Sequence, residues 1–174
     1  SAIDLSATPD LSMKKYDLMQ DINCRGAFLL AKTALPHLRK SSAAHILSLS
    51  PPINLNPRWA GESLGYTIAK YGMSLVTLGL AEELRDDGIA ANSLWPRTTI
   101  GTAAVANILG GDELMARSRS PRIVADSAWA ILTRDPRTCT GNFFIDDEVL
   151  AEEGQDDLSG YGGTDLNLDL FLDE

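Results

Sequence analysis

The residues best equipped for chemistry are Tyr66 and Lys70, in the run Tyr66-Thr-Ile-Ala-Lys70. Four residues apart in a segment of helical pattern, their side chains share one face. A phenol free in water has a pKa near ~10 and is a poor base at neutral pH. A cation held within a few ångström favours the phenolate and lowers that value. A tyrosine tuned in this way can give a proton to a carbonyl oxygen or take one from an alcohol. A nearby hydroxyl such as Ser50 can hydrogen-bond the same oxygen. These groups manage the proton in a hydride transfer between a nicotinamide and a carbonyl, where the cofactor carries the hydride.

Taken alone, Tyr-x-x-x-Lys is a weak signal, because an exposed tyrosine–lysine pair on a helix has the same spacing. The elements around it sharpen the reading. Ser12 can cap a short helix over Lys14–Met19. A helical pattern then runs from Asp21 to about Arg39, with a kink or a late turn expected at Pro36 and Gly26 marking close packing. Ala44 to Ser50 reads as a buried parallel strand. Residues 51–62, rich in proline and asparagine, read as a loop. A long helix follows over about Ser63–Asp86, with Gly88 at its C-cap. Ile89 to Trp95 is a second strand, stopped by Pro96. Beyond it come a loop over Thr98–Gly111 with a short helix near Ala103–Leu109, a helix over Arg122–Thr133, and a last strand over Gly141–Ile145. Helices alternating with strands predict an α/β protein with a Rossmann-like parallel sheet and flanking helices. In such sheets ligands bind at the carboxyl ends of the strands. Ser50 and Pro96 both lie there.

These motifs, in this order, resemble the short-chain dehydrogenase/reductase family. The family's serine and Tyr-x-x-x-Lys element matches Ser50 and Tyr66-Thr-Ile-Ala-Lys70. Its asparagine segment matches Asn23-Cys-Arg-Gly-Ala-Phe28, and its post-strand proline motif matches Asn92-Ser-Leu-Trp-Pro96, with Thr102 matching the following threonine. The resemblance runs from Ser1 to about Asp147. It implies a general acid/base role for Tyr66 and, for Lys70, tuning of Tyr66 and a hold on the cofactor ribose. It further implies that Ser50 orients the substrate oxygen and that Asn23 helps order a proton-relaying water. Pro96 and Thr99 fall in the segment that covers the nicotinamide. The implied cofactor is NADP or NAD, with NADP favoured. The implied substrate is a small carbonyl or alcohol of lipid-like or other apolar character, and the family commonly self-associates, here through helices 21–39 and 63–86. The alternative is a dehydrogenase fragment without catalytic competence, acting as an oligomerisation or interaction module.

Four departures stand out. Pro51 occupies a place that is often a second serine, and the loop between Ser50 and Tyr66 is longer than usual. Arg97 replaces the usual glycine after Pro96, and a surface charge is the favoured reading of it. The Gly-rich turn needed to hold a pyrophosphate at a helix N-terminus is not found. Ser1-Ala2 resembles the end of the family's Asn-Asn-Ala-Gly segment. The N-terminal strands and the phosphate loop are therefore expected upstream, leaving residues 1–153 as the C-terminal part of a dehydrogenase domain.

Gly72, Ser74 and Gly79 thin one side of the long helix, equally suited to internal packing or to a subunit contact. Of 174 residues, 24 are acidic and 15 are lysine or arginine, for a net charge of −9. The excess sits at one end: from Asp146 onward there are eleven acids and no base, while residues 1–145 are near neutral. A tail over residues 154–174 is expected to be acidic, solvated and extended or poorly ordered, although Leu166–Leu172 alternates and could dock as an edge strand. The acidity argues against nucleic-acid binding. No apolar run approaches the ~20 residues that span a bilayer, and no secretory signal is visible. Two cysteines without Cys-x-x-Cys spacing point to free thiols in a reducing compartment, and two histidines make a His-rich metal site improbable. A cytoplasmic location is expected, with peroxisome or mitochondrion as the eukaryotic alternatives.

Overall fold

The computed structural model describes residues 2–162 and 165–173. In chain order it contains α1 (Met13–Met19), a π-helical turn (Gln20–Arg25), α2 (Gly26–Leu38), β1 (His45–Ser48), α3 (Pro57–Glu62), α4 (Leu64–Glu83) and β2 (Ala90–Trp95). A second π-helical turn (Val105–Leu109), α5 (Gly111–Ala116), α6 (Arg122–Leu132), β3 (Phe143–Ile145), α7 (Asp146–Glu152) and a 3-10 turn (Ser159–Tyr161) follow. The strands form one sheet in the order β1-β2-β3. The chain divides into two compact units, residues 1–93 with 135–143, and residues 94–134 with 144–174.

In the first unit β1 pairs in parallel with β2, from His45 opposite Ala90 to Ser48 opposite Ser93. Every residue of β2 is buried, as expected of a strand covered on both faces. Its one large polar side chain, Asn92, is satisfied internally. Asn92 Nδ2 donates to the Cys139 carbonyl, and Asn92 Oδ1 accepts from the backbone and side chain of Asn142. Ala31, Ala44, Ala81 and Ala91 alternate with Leu80, Leu84 and Ile89 in the core between α2, α4 and the strands. Small residues there let helix and sheet approach closely.

The long helix α4 fits tightly to what precedes it. A Cβ on Gly65 would lie 2.4 Å from Leu11 Cδ2, and one on Gly72 would lie 2.7 Å from Cys24 Sγ. Ser74 donates to the Pro51 carbonyl at 2.6 Å. Gly72 and Ser74 therefore serve internal packing, whereas a Cβ on Gly79 would meet nothing within 4 Å. The chain leaves α4 at Glu83 and turns at Gly88, whose φ of +66° suits glycine.

Three local expectations are corrected. Residues 57–62 are helical, not loop: Asn56 Oδ1 accepts from the Arg58 amide, Pro57 occupies the first turn, and Arg58 pairs with Glu62 one turn on. These are standard start signals, hidden by the prolines and asparagines around them. In the helical stretch 21–39, Pro36 falls in the last turn of α2, which ends at Leu38, and an irregularity not expected lies earlier, in the π-helical turn holding Asn23. Both α5 and α7 arise where no helix was expected.

In the second unit α6 packs on α7 around Ile123, Leu150 and Tyr161, with Ile100, Val124 and Leu158 alongside. The acidic stretch is built into this unit. Asp147 and Glu148 pair with Arg97, Glu152 and Glu153 with Arg134, and Asp165 with Arg117. Tyr161 donates to Asp126 and accepts from Gln155. Its burial, reinforced by the Asp126 carboxylate, pushes the Tyr161 phenol pKa up. Phe171 is 1% exposed. Residues 167–171 are thus docked rather than loose, through an antiparallel bridge between Thr98 and Leu168 and the hydrogen bonds beside it, in place of a full edge strand. Gly163, Thr164 and Glu174 of the expected tail lie outside the described residues.

Candidate active site

Four of the six residues singled out from the sequence lie in the first unit. Tyr66 and Lys70 sit in the first two turns of α4, 5% and 4% exposed. The pair is therefore buried, which removes the exposed-helix-pair reading of its spacing. Lys70 Nζ lies 6.0 Å from the centroid of the Tyr66 ring.

Ser50 lies two residues past β1 and is fully buried. Helix α4 grips the chain on either side of it. Lys70 Nζ donates to the Leu49 carbonyl at 2.9 Å, and Ser74 Oγ donates to the Pro51 carbonyl. Two residues one helical turn apart on α4 thus hold the carbonyls of the residues on either side of Ser50, Leu49 and Pro51. The following loop is tied to the same helix, because the Tyr71 hydroxyl donates to the Asn54 carbonyl at 2.6 Å. Thr67 Oγ1 lies within hydrogen-bonding range of the Trp59 and Ser63 carbonyls, which fixes α3 to α4. The long insertion between Ser50 and Tyr66 is rigidly anchored for this reason.

Asn23 is 2% exposed in the π-helical turn, and its Nδ2 donates to the Ala2 carbonyl at 2.8 Å. That turn packs against α4, where Cys24 meets Gly72 and Gln20 Nε2 donates to the Gly65 carbonyl. A single π turn widens the helix by one residue and often marks a functional position. Three side-chain oxygens in this unit, Ser50 Oγ, Asn23 Oδ1 and Ser93 Oγ within β2, are buried without a hydrogen-bond partner among the described residues. A buried polar atom left unsatisfied costs about 1–3 kcal/mol. Such an oxygen is one that a bound molecule or a water would satisfy.

The other two predicted residues belong to the second unit. Thr99 Oγ1 is 2.9 Å from Ser118 Oγ, and the Thr99 amide donates to the Asn167 carbonyl. Pro96 ends β2. Thr102 starts the next helical turn, with its carbonyl accepting from the Ala106 amide. Arg97 is not the surface charge expected. Its guanidinium spans Asp147 and Glu148, and its amide donates to Asp146 Oδ1. Asp146 is fully buried; burial raises its pKa, which the two amides bonded to it only partly offset.

Sequence reasoning missed Ser74 and Tyr71 as anchors of the Ser50 loop. Ser74 was legible in principle, since it follows Lys70 by one turn on the same helix face.

The enoyl-(acyl carrier protein) reductase family profile matches residues 3–143. The chain belongs to the short-chain dehydrogenase/reductase family. It is 52% identical over 177 aligned residues to hydroxysteroid dehydrogenase-like protein 2 of Xenopus laevis, covering all of this chain and 42% of that protein. A crystal structure from Xanthomonas campestris superposes with a TM-score of 0.94 at 52% identity, covering all of this chain and 64% of that one. A short-chain dehydrogenase from Mycobacterium thermoresistibile gives 0.91 at 48%, covering 99% and 62%. The chain therefore spans less than half the length of the curated relatives it matches. At 18% identity, an angucycline C-6 ketoreductase whose structure holds NADP shares the fold, with a TM-score of 0.69 over 84% of this chain and 58% of that one.

Proposed function

We propose that these residues supply the proton-handling part of a short-chain oxidoreductase site, acting on a carbonyl or alcohol of a lipid-like or other apolar substrate. The observation that carries this reading is the buried Tyr66–Lys70 pair, with Lys70 bonded to the peptide beside a buried Ser50 whose hydroxyl has no partner among the described residues. A nicotinamide cofactor, NADP favoured over NAD by family resemblance, would supply or accept the hydride. Tyr66 Oη gives a proton to the substrate oxygen during reduction and takes it back during oxidation. Lys70 places a cation near the phenol and favours its ionised form. The otherwise unpartnered Ser50 Oγ hydrogen-bonds the same oxygen and orients it. Asn23 Oδ1 holds a water that passes protons to and from the site. By resemblance, Lys70, Pro96 and Thr99 contribute the contacts to the nicotinamide end of the cofactor.

The test is Tyr66→Phe in the full-length protein. Turnover of a carbonyl substrate panel should fall by roughly 10²–10⁴-fold, while NADPH binding stays within about twofold. Unchanged turnover defeats the assignment.

Self-association through α2 and α4 is part of the reading. Phe28, Leu29, Leu30, Leu75 and Leu78 are all about half or more exposed on these two helices. A groove of about 380 Å³ runs between them, lined by Cys24, Phe28, Gly72, Leu75, Val76 and Gly79 among others. A contiguous apolar surface of this kind favours a second apolar face. Leu75→Glu should convert a dimer or tetramer to monomer in sedimentation; a wild-type protein that is already monomeric removes this part.

A further inference from the structure

The C-terminal segment does more than cover a core. Phe171 is 1% exposed, and its ring lies 5.9 Å from that of Trp95, tilted by 59°. Its φ is +73°, a conformation uncommon for any residue with a Cβ and an outlier for a bulky one. Backbone in such a state persists only where its surroundings hold it there. Around Phe171 the backbone is held on both sides of the segment that follows β2. Trp95 Nε1 donates to the Leu170 carbonyl at 2.9 Å, and the Asp169 amide donates to the Arg97 carbonyl at 3.0 Å. The Thr99 amide donates to the Asn167 carbonyl at 2.9 Å, with Thr98 bridged to Leu168. On its other edge the same segment is bonded to residues 117–119: the Arg119 amide donates to the Thr99 carbonyl, and the Gly101 amide donates to the Arg119 carbonyl. The Asn167 amide closes the ribbon by donating to the Arg117 carbonyl.

We infer that Phe171 is a positioning residue. Seated on Trp95, it locks residues 167–171 as a strap along residues 97–101, so that the C-terminal segment sets the path of the segment assigned to the cofactor. This rests on the proposed function for the role of residues 97–101, but the strap itself does not. An unpaired edge would otherwise leave the Thr99 amide and the Arg97 carbonyl to solvent. With the strap in place they are spent on the segment's own geometry.

The experiment uses the full-length protein with Phe171→Ala and the milder Phe171→Leu. Amide hydrogen exchange is followed in peptides covering 97–101, 117–119 and α4, and NADPH affinity is followed by nicotinamide fluorescence. Phe171→Ala should speed exchange at 97–101 and 117–119 by tenfold or more, leave α4 unchanged and weaken NADPH binding about tenfold. Phe171→Leu should recover most of both. Unchanged exchange at 97–101 overturns the inference, as does a uniform rise that includes α4, since that is only lost stability. Faster local exchange with undiminished NADPH affinity overturns it too. A wild-type protein that binds no NADPH defeats the reading of the site instead, and exchange alone then decides the strap.

Discussion

Lys70 Nζ donates a hydrogen bond to the Leu49 carbonyl across a separation of 21 residues. One side chain therefore carries two duties, placing a positive charge near Tyr66 and fixing the peptide that precedes Ser50. Lys70→Met should remove both. Loss of this charge-assisted bond should cost about 1.5–3 kcal/mol, visible as a lower midpoint in urea. Loss of the cation should move the pH at which Tyr66 becomes an effective base upward, displacing the pH profile of turnover toward alkaline values. A profile that does not move separates Lys70 from the proton chemistry.

Ser50→Ala should divide stability from activity. Ser50 Oγ is buried and has no hydrogen-bond partner among the described residues, so removing it relieves an unsatisfied hydroxyl. Stability should be unchanged or rise by up to about 1 kcal/mol, while turnover falls by roughly 10²-fold or more. Parallel losses of both in thermal melts and assays would mean that the hydroxyl is structural.

Ser74→Ala should act on the same loop indirectly. Ser74 Oγ lies 2.6 Å from the Pro51 carbonyl and 3.2 Å from the Lys70 carbonyl. The variant should lose about 1 kcal/mol and several-fold in kcat, with cofactor affinity retained.

Asp146 gives a pH-dependent contribution of known sign. Burial raises its pKa above the ordinary value of 3.8, so the fold favours the protonated carboxyl. Its stabilising contribution is complete below the unfolded value and is lost as pH rises through the raised folded value. Asp146→Asn stays neutral and keeps an oxygen for the amides of Arg97 and Asp147. The melting temperature of the variant relative to wild type should therefore climb as pH rises from about 4 to about 7. A flat or falling difference contradicts the account.

Two glycines on α4 should answer oppositely to alanine. A Cβ at Gly65 collides with Leu11, so Gly65→Ala should cost about 1–3 kcal/mol. Gly79 has open space, so Gly79→Ala should stabilise α4 by about 0.5–1 kcal/mol. Chemical denaturation distinguishes the two.

The sequence by itself determined what is encoded locally. The 3.6-residue period placed Tyr66 and Lys70 on one helix face, the apolar runs marked β1 and β2, and the order of motifs around Asn23, Ser50, Tyr66 and Pro96 was enough for the family. It misjudged α3 because Asn56 and Pro57 are both loop formers and helix starters, and only the Arg58 amide on Asn56 Oδ1 separates the two. Tertiary structure decided what depends on groups far apart in the chain. That Lys70 reaches the Leu49 carbonyl, that Arg97 is spent on Asp147 and Glu148, and that an acidic end is drawn in by Phe171 all rest on contacts 21 to 76 residues apart. No local period records such pairings. The acidic composition of the last 29 residues pointed outward to solvent, but the apolar area of one buried ring and the backbone bonds beside it outweighed the ordering cost of a short segment.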